Sequence, residues 1–189
     1  MPGQQTDYPT GADLIRTAIT LAHKWHDGQR RKGFGLPYIV HPCDVFTRLV
    51  RWGIEDDVTL AAAMLHDVFE MTHITPYTMK IWVGPVVAST VEELSIPGDP
   101  HNKVLKRAYM ESFGTKSVRA LIIKAADRYS NISDFLLTDV VYAAKYFHMA
   151  DNLFYTLAGR IGEIDDEYGP GVGITALKDI DQLSSQLPL

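Results

Sequence analysis

Apolar residues recur at three- and four-residue steps along almost the whole chain, and no stretch alternates convincingly enough to read as a strand. Leu14, Ala18, Leu21, Ala22 and Trp25 define a first amphipathic helix. The next stretch, DGQRRKGFGLPYIV, is rich in glycine and cations and reads as a loop. Pro42 suits the first turn of a second helix, with Val45, Phe46, Leu49 and Val50 facing inward. Asp56 or Asp57 would cap a third, running through Leu60, Ala61, Met64, Leu65 and Val68. Thr75-Pro76 repeats the pattern of a cap followed by proline, and Gly84-Pro85 should break or kink that segment ahead of VVASTVEEL. SIPGDPHN is the clearest mid-chain loop, and KVLKRAYMESF and SVRALIIKAADRYSNI are two helices parted at Gly114. DVVYAAKYFHMADNLFYTLAGR reads as one long helix, EYGPGVG as a loop, and ITALKDIDQLSSQL as the closing helix. The fold expected is all-α, a compact multi-helix bundle.

A chain of 189 residues, 46% of them hydrophobic, is long enough to bury one sizeable core, so residues 1–189 read as a single domain. The formal net charge of −5 gives a surface that as a whole does not attract nucleic acid; a polyanionic ligand would need a local basic cluster. Cys43 is the single cysteine, which rules out an intrachain disulfide. The start, MPGQQTDYPTGADL, lacks the basic and apolar regions of a signal peptide. No uninterrupted apolar run approaches the roughly 18 residues that a membrane span needs. The expected setting is cytoplasmic, without a membrane partner, and the sequence leaves the oligomeric state open.

His66-Asp67 lies inside the apolar stretch LAAAMLHDVFEMT, where two polar side chains are costly unless both find partners. One divalent ion would partner both. His41 in PYIVHP and Asp127 in IIKAADRYSNI complete a set of two imidazoles and two carboxylates, a mixed nitrogen and oxygen shell that suits Mn, Fe or Zn. If the helix runs on unbroken, Glu70 shares a face with His66 and lies one turn along. There it would accept a proton from water that the ion makes nucleophilic near neutral pH. Each residue also has a plainer reading. An HD pair is common by chance, His41 would serve as a helix cap beside Pro42, and Asp127-Arg128 as a structural ion pair. His23 and His26 would complement the first helix's dipole, and Tyr146 would be core.

Taken together, three stretches resemble the HD-type alarmone hydrolases, the small (p)ppGpp hydrolases and the hydrolase domains of the Rel/Spo stringent-response enzymes. They are AHKWHDGQRRKGFGLPYIVHP, AAAMLHDVFEMT and KAADRYSNI, in the family's order. The resemblance implies an all-helical HD-domain bundle with one Mn2+ in a central cleft, held by His41, His66, Asp67 and Asp127. It implies removal of the 3′-pyrophosphate from ppGpp or pppGpp, giving GDP or GTP plus pyrophosphate, with Glu70 as the catalytic carboxylate. Arg31 and Lys32 match the family's basic pair, which meets the nucleotide. Asn131 matches an asparagine near the nucleoside, and Tyr146 a tyrosine that contacts substrate.

The chain departs from the family's pattern at four places. The motif HDVFEM keeps Glu70 but has Met71 where a second carboxylate is usual, and a thioether cannot accept the proton. Ser130 stands where histidine is frequent and Asp134 where threonine is frequent, and the loop GFGLP is slightly longer than usual. A carboxylate near a polyphosphate is unfavourable unless it faces away or pairs with a cation. Two other functions therefore stay open. One is hydrolysis of another purine nucleotide, such as an adenosine analogue, NADPH or a dNTP. The other is a nucleotide-binding sensor with little turnover.

Overall fold

The computed structural model describes residues 8–98 and 102–188; the chain's first seven residues, and part of the SIPGDPHN loop, lie outside that range. Eleven helices and one short 3₁₀ turn account for the regular structure, with no strand among the described residues. They are α1 (Gly11–Trp25), α2 (Val40–Trp52), α3 (Asp57–Leu65), α4 (Val68–Met71), α5 (Pro76–Leu94) and α6 (Lys103–Glu111). The 3₁₀ turn Ser112–Gly114 leads to α7 (Val118–Thr138), α8 (Val140–His148), α9 (Asp151–Gly159), α10 (Ile161–Tyr168) and α11 (Val172–Ser184).

The centre of the bundle is α3, whose sequence DVTLAAAML is buried from Thr59 to Leu65 and has no polar face to offer water. Helices α1, α2, α5 and α7 pack against it. Small side chains at Ala61, Ala62 and Ala63 bring those neighbours close. The middle of α7 is its counterpart: every residue from Ala120 to Ser130 is buried, including Lys124, Asp127 and Arg128. A helix that carries three ionisable groups through a core must pair them.

The caps agree closely with the sequence. Asp56, rather than Asp57, caps α3 by accepting the Thr59 N–H at 2.8 Å, while Asp57 takes the backbone N–H of Gly11. Thr75 accepts the Thr78 N–H ahead of Pro76. Gly84 is non-helical at φ 84°, ψ 168°, which produces the kink expected at Gly84-Pro85. Helix α11 is tied down by Asp179, which accepts from Arg48 Nη1 and Trp52 Nε1, both at 2.8 Å.

Four readings of the sequence are corrected. The third helix does not run through Val68: α3 ends at Leu65 and α4 begins after His66 and Asp67. The long helix expected from 139 to 160 is two, α8 and α9, parted at Met149-Ala150. Helix α7 continues to Thr138, well past Ile132. Val50, expected to face inward, is 47% exposed.

Candidate metal centre

Three packed elements bring the expected ligands together. His41 comes from the first turn of α2, His66 and Asp67 from the break between α3 and α4, and Asp127 from the middle of α7. The two imidazoles face each other with Nε2 to Nε2 at 3.2 Å. Asp67 Oδ2 lies 3.4 Å from His41 Nε2 and 3.2 Å from His66 Nε2. Asp127 Oδ1 lies 3.2 Å from His41 Nε2 and 3.8 Å from His66 Nε2. One ligand atom each from His41, His66 and Asp127 falls within 4.8 Å of the others, all three residues being buried.

The partners on the outer side of each ring bear on whether this set fits a metal. His66 Nδ1 donates to the Ala63 carbonyl at 2.7 Å, which leaves the lone pair of the neutral ring on Nε2, pointing into the cluster. His41 Nδ1 pairs with Ser130 Oγ at 3.0 Å, so the serine that departs from the family's pattern orients this ring. Imidazole lone pairs and carboxylate oxygens then converge on one small volume, an arrangement that is repulsive unless a proton or a cation sits among them. The donor set fits a divalent ion that accepts nitrogen and oxygen.

The carboxylates are held from behind as well. Tyr38 donates its hydroxyl to Asp67 Oδ2. Asp127 Oδ2 pairs with the buried Lys124 ammonium at 2.8 Å. Burial alone would push the Asp67 carboxyl up, but the His66 and His41 imidazoles beside it hold it well below the usual carboxylate range. Burial acts the same way on Asp127, and Lys124, His41 and Arg128 reverse it. For His66, burial pulls the pKa down, yet Asp67 and Asp127 together raise it above 6.5. Neither Lys124 nor Tyr38 was singled out from the sequence. The i,i+3 spacing of lysine and aspartate in KAAD is the one local signal for the first.

Glu70 lies in α4 beyond the His66-Asp67 break, not on a continuous helix face with His66. Its Oε1 accepts the backbone N–H of Ile96 at 2.9 Å, which ties α4 to the end of α5. Met71 is 44% exposed, beside Trp25, Gln29 and His73, and its carbonyl accepts from Gln29 Nε2. Gln29 in turn receives Nδ1 of His26, a histidine buried against the Tyr38 ring and not among the converging ligands.

The loop cations divide. Lys32 is exposed, as expected of a solvated cationic loop, whereas Arg31 is folded back onto α7. Arg31 Nη2 meets Asp134 Oδ2 at 2.6 Å and Asn131 Oδ1 at 3.0 Å. Asn131 Nδ2 reaches Asp127 Oδ1, so it bridges this arginine to the cluster. Asp134 thus meets the condition set by its sequence position: it pairs with a cation. Tyr146 is half-buried among Phe135 and Tyr142, and its hydroxyl accepts from Arg128 Nη1. Arg128 and Tyr146 line a cavity of about 620 Å³ together with Lys103, Lys106, Arg107 and Met149.

The chain is similar to several known proteins. A mouse protein, guanosine-3′,5′-bis(diphosphate) 3′-pyrophosphohydrolase MESH1, is 35% identical over 124 residues, 65% of this chain and 69% of its own length. The Escherichia coli bifunctional (p)ppGpp synthase/hydrolase SpoT is 36% identical over 62% of this chain and 17% of its own. A probable guanosine-3′,5′-bis(diphosphate) 3′-pyrophosphohydrolase of Mycoplasma pneumoniae is 29% identical over 82% of this chain. This chain spans only 22% of that protein's length. Among solved structures, a metazoan ortholog of SpoT described as hydrolysing ppGpp superposes with a TM-score of 0.77 at 27% identity, covering 95% of this chain and 99% of that one. Residues 18–164 match the model of the HD domain. The chain belongs to the HD-domain family.

Proposed function

We propose that this protein is a metal-dependent pyrophosphohydrolase that removes the 3′-pyrophosphate of ppGpp and pppGpp, leaving GDP or GTP. The observation that carries the reading is the convergence of His41, His66, Asp67 and Asp127, with both imidazoles oriented by partners behind them. Similarity to MESH1, SpoT and the metazoan ortholog supports the alarmone as substrate. In this reading the four residues hold one divalent ion, Mn2+ by resemblance, and residues 1–189 act as one phosphohydrolase domain in the cytoplasm. Among the described residues no helix is long and apolar enough to cross a membrane.

A bound divalent ion would neutralise charge on the pyrophosphate and make water nucleophilic near neutral pH. Glu70 is the protein's proton acceptor in this scheme. One of its oxygens is fixed by Ile96, which leaves the other for the proton. The Ala63 carbonyl keeps the His66 ring in the tautomer that ligation needs, and Ser130 orients the His41 ring. Lys124 and Tyr38 stabilise the carboxylates in their ionised form. Arg31, Lys32, Asn131 and Tyr146 contact the nucleotide.

A panel of ppGpp, pppGpp, NADPH and dNTPs, each incubated with the protein and Mn2+, tests the substrate. The reading expects the 3′-pyrophosphorylated guanosines to be turned over fastest. Faster turnover of NADPH or a dNTP would replace the alarmone with that nucleotide. Tight binding of ppGpp without product, together with gain of activity in Met71→Asp, would mark a sensor, the reading that Met71 favours.

A further inference from the structure

The contact between Arg31 and Asp134 decides what Arg31 can do. A guanidinium has five N–H donors and grips a phosphate through a pair of parallel ones, either Nε with Nη2 or Nη1 with Nη2. In this chain Nε donates to Asp134 Oδ2 at 3.1 Å, and Nη2 donates to the same oxygen at 2.6 Å and to Asn131 Oδ1 at 3.0 Å. Both edges that could fork a phosphate are therefore engaged, which leaves the two donors on Nη1. The carboxylate also neutralises the charge that would attract a phosphate, in a pair whose arginine side chain is only 12% exposed.

What remains to Arg31 is its plane. Tyr38 lies at one side, with the guanidinium carbon 5.8 Å from the ring centroid. Asn131 connects the plane to Asp127, so it stands one side-chain amide away from a carboxylate of the metal cluster. A nucleoside whose phosphorylated sugar sits at that cluster would bring its base to this plane. Other cations line a separate cavity: Lys103, Lys106 and Arg128, with Arg107 there already paired to Glu111 at 2.8 Å.

We propose that Asp134 is a positioning residue that withholds Arg31 from phosphate and fixes its guanidinium as a platform on which the nucleobase stacks. The ligand in this inference rests on the nucleotide-hydrolase reading; the locked arginine does not.

The test compares two probes, GDP and inorganic pyrophosphate, by calorimetric titration in matched Mn2+. The proteins are the wild type, Arg31→Ala, Asp134→Thr, Asp134→Asn and the Arg31→Ala/Asp134→Thr double variant, each checked for folding by its thermal transition. Arg31→Ala should weaken GDP about tenfold, the scale of a cation stacked on a base, and leave pyrophosphate unchanged. Asp134→Thr should weaken GDP several-fold and tighten pyrophosphate, because the arginine is freed to fork it. On GDP the double variant should match Arg31→Ala alone, since Asp134 acts through Arg31. Asp134→Asn retains an acceptor and should fall between wild type and Asp134→Thr. Equal loss of both probes in Arg31→Ala would overturn the proposal, as would additive losses of GDP in the double variant or a wild type that binds neither probe. If ppGpp is not hydrolysed while the contrast between GDP and pyrophosphate holds, the hydrolase reading fails and the role of Asp134 stands.

Discussion

The division of labour at Glu70 can be separated by a single atom. Its Oε1 holds the Ile96 N–H, a task that an amide carbonyl performs equally well, whereas accepting a proton needs the carboxylate. Glu70→Gln should therefore keep its unfolding free energy, read by urea titration, within about 0.5 kcal/mol of wild type while kcat falls by about 10²–10⁴. Unchanged kcat would remove Glu70 from the chemistry. Acidity gives a second prediction at this scale. Without metal, His66 keeps its proton above 6.5 because the pull of Asp67 and Asp127 outweighs its burial. That contribution to stability is complete below 6.5 and is lost as pH rises through the raised value. Asp67 and Asp127, both depressed, contribute the opposite way: their share is present above the usual 3.8 and is lost as pH falls through their lowered values. A ligating metal must displace the His66 proton. The rise in Tm on adding Mn2+ should accordingly grow as pH is raised from 6.5 upward. A metal-induced shift that is flat across that range would contradict the assignment of His66 as a ligand.

At the scale of elements, two breaks in helical structure escaped the sequence, and the reason is shared. Asp67 sits at φ −97°, ψ −1°, and Ala150 at φ −100°, ψ 0°, both in the sparsely populated bridge between helix and strand. Neither break has a glycine or proline to announce it, and the apolar spacing continues across both, so periodicity reads each pair of helices as one. The kink in α5 was legible because Gly84-Pro85 carries its own chemistry. Its φ of +84° with ψ of 168° belongs to a region essentially reserved for glycine, and a Cβ there would stand 3.2 Å from Cγ of the Tyr8 ring. Gly84→Ala should cost about 1–3 kcal/mol, read as a lower urea midpoint at unchanged slope. A loss below a few tenths of a kcal/mol would show that the kink is not strained by a side chain. The caps at Asp56 and Thr75 were legible for the same reason as the kink: each is a local hydrogen bond written in one residue type.

Across the whole molecule, the cluster joins elements far apart in sequence. Ligands from α2, the α3–α4 break and α7 meet because all three elements pack on one another around the apolar α3. The candidate ligands were legible because buried histidine and aspartate in apolar runs are costly without partners. Their supporting residues were not, since Lys124, Tyr38 and Ser130 acquire meaning only when the helices are assembled. The Arg31–Asp134 contact bridges 103 positions and lies outside any local rule. The central claim is that this assembled cluster hydrolyses the alarmone. Turnover of ppGpp with Mn2+, with products resolved by ion exchange, tests it most directly when wild type and His66→Ala are compared. The account predicts GDP plus pyrophosphate from the wild type and at least a hundredfold less from the variant, a lower bound of about 3 kcal/mol in transition-state stabilisation. A folded, metal-loaded wild type that leaves ppGpp intact, or a His66→Ala variant that cleaves it equally well, would contradict the account.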